Sequence, residues 1–429
     1  TGMTEAREAV AHIFGQTRHL YDHYRDHELE GVTGPSAKSE LESWVGRMKE
    51  KLQPGDRVVI YVTAHGGRAP NRKTPYNTRL YLWNNQSITM RDFTAQLDRL
   101  PESVPVAVVM VQCYSGGFSH IIYQGGDAAK GVAPHLRCGF FATVHTRGAA
   151  GCTPEINEEN YHEYSTYFWA AVSGTTRTGK PVSGADLDGD GRVSFSEAHA
   201  YALCQSTTID ISVKTSDVLL RRYSLLGAPG DATLFSAETP WEVLSAGASA
   251  EECAVAESLS RQLGLKGSDR GRSARTLAKK LEKEKSDLGK KVGRLAREQR
   301  SLAGALKKKL LQRWPELGNP WHPQVAIILD NDSKAVMKVL TEDPRYDKYL
   351  KVLKELRAIS EQRSAVEKRW VKCQRLIRSL ENMALEHNLP IVATTEEQQQ
   401  VARLMELERQ TLGQGALAGP AASSAKNAQ

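Results

Sequence analysis

The sequence predicts an α/β fold for residues 1–240, followed by an all-α segment. Two short runs rich in valine and isoleucine, residues 58–64 and 106–112, each end close to glycines, which is typical of buried strands in a parallel sheet. Strand-like and helix-like runs alternate around them, as expected for a mostly parallel central sheet flanked by helices. Beyond Trp241 the composition shifts to Leu, Lys, Arg, Glu and Gln, which favours helices.

The elements of the first 240 residues follow from local patterns. Apolar runs bounded by Gly, Pro or Asp predict strands, and amphipathic runs that begin after Ser or Thr predict helices. Strands are expected at residues 58–64, 80–83, 106–112 and 138–144, and helices at 6–24, 39–52, 89–100, 161–172 and 195–205.

The rest of the chain divides by composition. Residues 241–273 are expected to be a linker, because they end in a polar, glycine-bearing stretch. Residues 274–411 are expected to form a helical or coiled-coil module, and the Ala/Gly/Ser-rich tail 412–429 to be disordered.

Two long helices are predicted within residues 274–411. Leucines recur every seven residues at positions 281, 288, 295 and 302. In residues 344–387 a second row of mostly apolar residues is spaced alternately three and four positions apart, as in a heptad repeat. This seam is broken only by Arg363. The proline-bearing stretch 315–323 separates them, so an antiparallel hairpin or small bundle is expected. The seam can also pair between chains, which leaves the oligomeric state open.

Composition and charge narrow the class of protein. The chain has 429 residues and no apolar run near the roughly 20 residues of a membrane helix. Its six cysteines are scattered without a CxxC, and residues 1–5 lack a signal pattern, so a cytoplasmic protein is expected. Of the net charge of +7, residues 266–313 contribute +12 (17 Lys and Arg against 5 Asp and Glu), which leaves −5 elsewhere. The basic character therefore belongs to one predicted helix, which we expect to be solvated.

A histidine and a cysteine follow the two predicted strands at residues 58–64 and 106–112. His65-Gly66-Gly67 follows the first run, and Cys113-Tyr114-Ser115-Gly116-Gly117 follows the second. Catalytic groups in parallel sheets gather beyond the carboxyl ends of the strands, so a thiol and an imidazole are expected at one edge. Cys113 would be the nucleophile and His65 the general base and acid, with the backbone N–H groups of Gly66 and Cys113 as oxyanion donors. The alternative for these motifs is a structural cysteine and a core histidine.

The two motifs resemble those of the caspase-like cysteine peptidases, a group that includes caspases, metacaspases and legumains. The resemblance covers residues 5–235 and implies a caspase-like sandwich, a Cys–His dyad without a required third member, and cleavage after one preferred side chain. The residue two before the nucleophile, here Val111, often helps to form the specificity pocket in this group, where it is acidic or glutamine in many members. By the same layout Val144 and Arg147 would border this pocket, and Arg147 would favour an acidic side chain.

Residues 186–197 match the twelve-residue calcium loop of an EF-hand. Aspartates occupy its positions 1, 3 and 5, glycine position 6 and glutamate position 12. The segment before the loop contains Gly179, Pro181 and Gly184 and is not expected to be helical, so the motif is half an EF-hand. The expected calcium ligands are Asp186, Asp188, Asp190, Arg192 (through its carbonyl), Ser194 and Glu197. An acidic surface turn is the alternative.

Together these patterns predict a calcium-dependent, caspase-like cysteine endopeptidase. Its partners would be a protein or peptide substrate and a regulatory protein bound by the helical module, and self-cleavage in the basic segment is a further expectation. One alternative is a catalytically inactive caspase-like scaffold that acts through its coiled coil. Another is a protease gated by nucleic acid bound to the basic helix, although that helix lacks the interleaved aromatics of a nucleic-acid module.

Overall fold

The computed structural model describes residues 4–16, 30–151 and 161–413. The chain divides into two compact units. We call residues 32–279 and 368–429 the sheet unit, and residues 1–31 and 280–367 the helical unit. Two long helices pass from one unit into the other. No described helix is both long and apolar enough to cross a membrane.

The described part of the sheet unit contains two β-sheets. The strands are β1 (Val58–Val62), β2 (Gly66–Gly67), β3 (Arg79–Tyr81), β4 (Ser87–Thr89), β5 (Val106–Met110), β6 (Arg137–Phe141) and β7 (Val213–Lys214). The main sheet has the order β1-β5-β6-β7, with the first three strands parallel and β7 antiparallel to β6. The other is a small antiparallel sheet of β2, β3 and β4. An α/β fold with a mostly parallel sheet is therefore confirmed.

Helices make up most of the rest of the chain. The α-helices are α1 (Glu5–Phe14), α2 (Lys38–Lys51), α3 (Met90–Leu97), α4 (Tyr164–Ser173), α5 (Phe195–Gln205), α6 (Thr215–Tyr223), α7 (Trp241–Ser245), α8 (Ala250–Leu263), α9 (Arg270–Arg313), α10 (Pro323–Asn331), α11 (Ser333–Thr341), α12 (Pro344–Val392) and α13 (Thr395–Glu408). A 3₁₀ helix, Ser115–Ile122, follows the Cys113 strand.

The two strands that precede the cysteine and the histidine differ in burial. Every residue of β5 is buried, because neighbours pair with it on both sides. Strand β1 lies at the edge of the sheet, and Val59 and Tyr61 are about two-fifths exposed (39% and 42%). The expectation of two fully buried strands is therefore right for β5 and wrong for β1.

Some predicted helices differ in length from those observed. Helix α1 ends at Phe14 because Gly15 adopts a left-handed conformation (φ 70°) and closes the helix. The remainder of the predicted helix lies almost wholly outside the described residues. The predicted linker 241–273 instead contains α7 and α8, and α8 is capped by the Ser249 side chain and by Gly264 (φ 71°). Apart from residues 412 and 413, the predicted disordered tail also lies outside the described residues.

The second half of α12 belongs to the core of the sheet unit. Residues 368–392 of this helix group with the strands and not with the helical unit. Val371, Leu376 and Met383 are completely buried, and Val371 points roughly 120–140° away from the other two around the helix axis. A coiled-coil helix would bury only one stripe. This part of α12 is therefore a core helix of the sheet unit.

The helical unit has its own apolar core. Helices α1, α10 and α11 pack there with parts of α9 and α12, around buried residues that include Leu306, Val336 and Tyr349. Helix α1 is tied to α10 by an Arg7–Asp330 ion pair (2.8 Å). The long helices thus contribute to a small bundle with an additional N-terminal helix.

Candidate active site

The pairing of β1 with β5 brings the predicted catalytic residues to one edge of the sheet. The strands are parallel and in register, with Val62 opposite Met110. His65 and Cys113 each follow that pair of positions by three residues. A hydrogen bond from the Val111 N–H to the Val62 carbonyl (3.0 Å) extends the pairing beyond β5. Both loops therefore leave the sheet side by side.

Gly66 joins the two loops by direct backbone packing. A Cβ atom at this position would lie 2.0 Å from the carbonyl oxygen of Cys113 and 2.7 Å from the Gln112 side chain. Only glycine fits at position 66, which directly follows His65 in the chain. The His65 side chain is exposed, and its carbonyl accepts a hydrogen bond from Tyr81 N–H (3.0 Å). The small sheet thus holds the histidine loop against the cysteine loop.

The sulfur of Cys113 faces a second loop, residues 147–150. Ala149 N–H donates to the Cys113 Sγ at 3.3 Å, and a Cβ at Gly148 would lie 3.5 Å from the same atom. A hydrogen bond from a backbone N–H stabilises a thiolate more than a thiol. This donor was not predictable from sequence patterns, because backbone groups carry no residue signature.

Tyr114 forms a sharp turn directly after the cysteine. Its backbone is left-handed (φ 61°, ψ 18°), which is uncommon for a residue other than glycine. Its N–H donates to the Arg147 carbonyl (2.8 Å), and its carbonyl accepts from the Thr78 hydroxyl (3.0 Å). Strained backbone of this kind persists where surrounding contacts hold it, often at functional sites.

The two predicted oxyanion donors are placed differently. Gly66 is part of β2 and pairs with Leu80. The backbone N–H of Cys113 donates to no group among the described residues. It is therefore free to donate to a bound substrate.

A cleft of about 800 Å³ borders the 147–150 loop. Val144 and Arg147, both predicted for the specificity pocket, line this cleft, as do residues of the 3₁₀ helix and of α6 and α12. Val111 is not part of the cleft lining. The structure therefore brings together two of the three predicted pocket residues.

Arginines give the cleft a positive charge. Its lining includes Arg147, Arg221, Arg222 and Arg378, with Glu381 as the only acidic side chain on the described wall. Arg147 lies over the Trp370 ring (5.2 Å). Arg221 pairs with Glu381 (3.4 Å). The imbalance of charge favours an anionic ligand.

Arg378 is a cation of this cleft with hydrogen-bonding capacity that no described residue uses. It forms no hydrogen bond or ion pair with any residue that the structure describes, and its Nε is buried. Burial lowers the pKa of its guanidinium, and repulsion from Arg221 lowers it further. Arg378 is half-buried, so an anion bound in the cleft would offset part of the cost of removing its charge from water. The sequence predicted no role for Arg378.

Two histidines in the cleft are neutral at physiological pH. His120 and His145 lie against the Tyr76 ring, with centroids 3.9 and 4.1 Å away. Burial lowers the pKa of His120 to about 4 and lowers that of His145 as well. The positive charge of the cleft therefore comes from its arginines.

The acidic loop brings three aspartates together. Oxygens of Asp186, Asp188 and Asp190 lie within 4.8 Å of one another. Asp186 accepts hydrogen bonds from the N–H groups of Gly189 (2.8 Å) and Gly191 (3.0 Å), which fold the loop around it. Three converging carboxylates fit a hard divalent cation, because such ions prefer oxygen ligands.

The remaining predicted calcium ligands are held differently. Glu197 is buried, and it accepts hydrogen bonds from Leu187 N–H (2.7 Å) and Ser194 N–H (2.8 Å). Ser194 caps α5 by accepting from Glu197 N–H (3.1 Å). Arg192 N–H donates to Asp190 (2.8 Å). In this arrangement Glu197 closes the loop, and the aspartates alone form the cluster.

Comparison with known proteins gives no match to any family model, curated protein or solved structure. The function is therefore inferred from the site.

Proposed function

We propose that this protein is a cysteine endopeptidase of caspase-like type, with Cys113 as nucleophile and His65 as general base and acid. The observation that carries this proposal is the junction of the two loops. Parallel strands β1 and β5 deliver them to one edge, and Gly66 packs on the Cys113 backbone. Three neighbouring strands, in the order β1-β5-β6, are parallel, which supports the mostly parallel central sheet expected from the sequence.

The proposed reaction follows from the groups around the sulfur. Cys113 attacks the scissile carbonyl after His65 takes up the thiol proton, and His65 then gives that proton to the leaving amine. The Cys113 N–H, which donates to no described group, stabilises the oxyanion. Water hydrolyses the resulting thioester. Ala149 N–H supports the thiolate before attack.

The arginine-lined cleft would receive an acidic substrate side chain. Arg147 was the expected cation, and Arg378 adds a second one with free hydrogen-bonding capacity. The same charge disfavours a basic side chain. Cleavage of the Lys/Arg-rich segment 266–313 is also disfavoured because most of it lies in helix α9. Self-cleavage there is therefore not part of the proposal.

Calcium would bind the loop at Asp186, Asp188 and Asp190. When bound, it would offset the repulsion of three carboxylates and order the loop that leads into α5. The helical unit would regulate the enzyme or recruit its substrate, as expected from the sequence.

A peptide library tests the proposal. The library consists of fluorogenic tetrapeptides in which the residue before the scissile bond is varied through all amino acids. The peptides are incubated with the full chain, with and without calcium. We expect hydrolysis after Asp or Glu, lost at least about 10³-fold in Cys113→Ala and His65→Ala. Cys253→Ala is the matched control, because Cys253 is also partly buried but lies on α8.

Two results would contradict this function. Hydrolysis that survives Cys113→Ala would exclude the dyad. A folded protein that hydrolyses no peptide would instead support the inactive caspase-like scaffold.

A further inference from the structure

The loop that faces the Cys113 sulfur is held from its other side by a buried carboxylate. Ala149 N–H donates to the sulfur (3.3 Å), and the next N–H, that of Ala150, donates to Asp210 Oδ1 (2.6 Å). The two peptide planes meet at the Cα of Ala149, where only a few combinations of φ and ψ are allowed, so the direction of one N–H limits the direction of the other. The position of Asp210 therefore affects how the Ala149 N–H points at the sulfur.

Asp210 is itself fixed within the core. It is 1% exposed, and its Oδ2 accepts a hydrogen bond from the Thr208 hydroxyl (2.9 Å). The carboxylate thus has a partner on each oxygen. Few alternative positions are open to it.

Arg375, on the buried half of α12, holds the loop that carries Asp210. Its Nε donates to the Asp210 carbonyl (2.6 Å) and its Nη1 to the Ser206 carbonyl (2.8 Å). Its Nη2 lies 3.3 Å from the Ser206 hydroxyl and 3.4 Å from the Thr208 carbonyl. Arg375 is only 3% exposed, so its planar group acts as a rigid clamp on residues 206–210.

We propose that Asp210 and Arg375 are positioning residues for Cys113, which orient the Ala149 N–H toward the sulfur from the far side of the loop. This proposal rests on the proposed function of Cys113 as nucleophile. It also gives α12 a part in the site, as a helix that supports the nucleophile without touching substrate. The hydrogen bonds run from α12 through residues 206–210 and 149–150 to the sulfur.

The charge of Asp210 makes this arrangement sensitive to pH. Burial raises the pKa of Asp210 to about 6, although the Ala150 N–H, the Thr208 hydroxyl, Arg375 and Arg147 all act to lower it. Arg375 also faces Cys204 and Tyr167. Above pH about 6, Asp210 is a carboxylate and holds the Ala150 N–H strongly. Below that pH it becomes protonated, and this hydrogen bond weakens.

The reactivity of the sulfur measures this effect without any substrate. The rate at which iodoacetamide alkylates Cys113 is measured by peptide mass spectrometry from pH 5 to 8. The measurement uses the full chain carrying His65→Ala, so that the His65 imidazole does not contribute to the pH dependence. We expect the alkylation rate, plotted against pH, to show a rise near pH 6 in the parent chain, and we expect this rise to be absent when Asp210→Asn is added. At pH 7.5 the rate falls about tenfold in Asp210→Asn and Arg375→Lys, as for one weakened hydrogen bond to a charged sulfur.

The control is Arg369→Lys, since Arg369 is an exposed residue of the same helix. A merely structural role would lower stability but would not remove the rise near pH 6. An unchanged profile in folded Asp210→Asn, which keeps the shape of the side chain, overturns the proposal. If Arg375→Lys does not fold, the Asp210→Asn profile decides alone. Because alkylation needs no turnover, failure of the peptidase assay leaves this result interpretable.

Discussion

Gly66 and Cys113 are packed so closely that a Cβ atom at position 66 would lie 2.0 Å from the cysteine carbonyl oxygen. The obstacle is backbone, which cannot swing aside as a side chain can. Gly66→Ala must therefore separate the histidine loop from the cysteine loop. We expect it to lower the free energy of unfolding by about 1–3 kcal/mol, as overpacking does, and to abolish peptide hydrolysis. Denaturant unfolding and the peptide assay measure the two effects.

The control for this substitution is Gly46→Ala. Gly46 lies in α2, and a Cβ atom there would meet nothing within 4 Å. Alanine is favoured over glycine within a helix, so stability should rise by about 0.5–1 kcal/mol with activity unchanged. If Gly66→Ala behaved like Gly46→Ala, the two loops would not be in the contact described.

A charge reversal at Arg378 should change the preferred substrate. In Arg378→Glu, a half-buried cation of the cleft becomes an anion, so peptides with an acidic residue before the scissile bond should lose about 10²-fold in kcat/KM. Peptides with a basic residue there should gain. The measurement is the ratio of kcat/KM for matched Asp and Lys peptides. Arg369→Glu, an exposed change on the same helix, should leave the ratio unaltered. An unaltered ratio in Arg378→Glu would place the specificity pocket elsewhere.

Neutralising one aspartate of the acidic loop should have opposite effects with and without calcium. Asp186, Asp188 and Asp190 lie within 4.8 Å, so their charges repel when no cation is bound. Asp188→Asn keeps the oxygen that accepts the Asp190 N–H (3.1 Å) and should raise the Tm measured in EDTA. It should also remove most of the rise in Tm that calcium gives the wild type.

Glu102→Gln, an exposed substitution outside the loop, is the control for the calcium measurement and should retain the full calcium-induced rise in Tm. Terbium luminescence titrated by calcium gives a second reading of the site. If calcium changes neither Tm nor luminescence in the wild type, the loop is an acidic surface turn.

Local sequence patterns were enough for the parts of the fold that depend on local contacts. Strands β1 and β5, with a histidine and a cysteine just beyond them, were predicted because apolar runs and their terminating glycines lie next to one another in the chain. Helix α5 was predicted with its observed bounds, residues 195–205. Its cap, in which Ser194 and Glu197 bond reciprocally, is also a local signal.

Contacts between distant segments were not predictable in this way. The heptad pattern of residues 344–387 reports one apolar seam, and it carries no information about what covers the other faces. Arg375 lies outside that row of apolar positions, so the heptad pattern predicts an exposed side chain. In the structure it is buried against residues 206–210. The Ala149 N–H is a backbone group that no motif marks. Residues 241–273 looked like a linker because glycines and polar residues obscured the caps of α8.

Acid should destabilise the sheet unit through a buried histidine. His199 is 3% exposed and hydrogen-bonds through Nδ1 to the Tyr164 hydroxyl (2.7 Å). Burial lowers its pKa to about 3 from the ordinary 6.5. Between these values the unfolded chain binds a proton that the folded chain does not. Stability from this group is therefore complete above pH 6.5 and falls as the pH drops, by about 1.4 kcal/mol per pH unit.

Replacing this histidine should flatten the acid limb of the stability curve. The free energy of unfolding of His199→Gln is compared with wild type by urea titration between pH 4 and 7. At pH 7 the free energy of unfolding of the variant is lower than that of the wild type, because the variant loses packing. The difference between the two free energies shrinks as the pH falls. His162→Gln, at an exposed position, should follow the wild type. A difference that does not change with pH would show that His199 is not held neutral.

The last described helix should be essential to the sheet unit, because its Glu408 is completely buried beside the start of α6. The carboxylate accepts hydrogen bonds from Ser216 N–H (2.7 Å) and the Thr215 hydroxyl (2.7 Å), and it pairs with Lys214 (3.0 Å). Burial alone would lower the pKa of Lys214, but attraction to Glu408 and Asp217 raises it, so the Lys214 ammonium stays charged. Removing one partner of a buried pair leaves the other uncompensated.

Glu408→Gln should therefore lower the free energy of unfolding by about 3 kcal/mol or more, whereas Glu406→Gln, at an exposed position on the same helix, should change it by less than about 0.5 kcal/mol. Urea unfolding followed by tryptophan fluorescence measures both. A chain that ends at residue 393 loses α13 together with this buried carboxylate. It should expose the apolar surface that Val401, Leu404 and Leu407 cover and should fail to fold its sheet unit. If the shortened chain folded and kept the reactivity of Cys113 toward iodoacetamide, α13 would be an appendage, and the division of the chain near residue 274 expected from composition would be the better description.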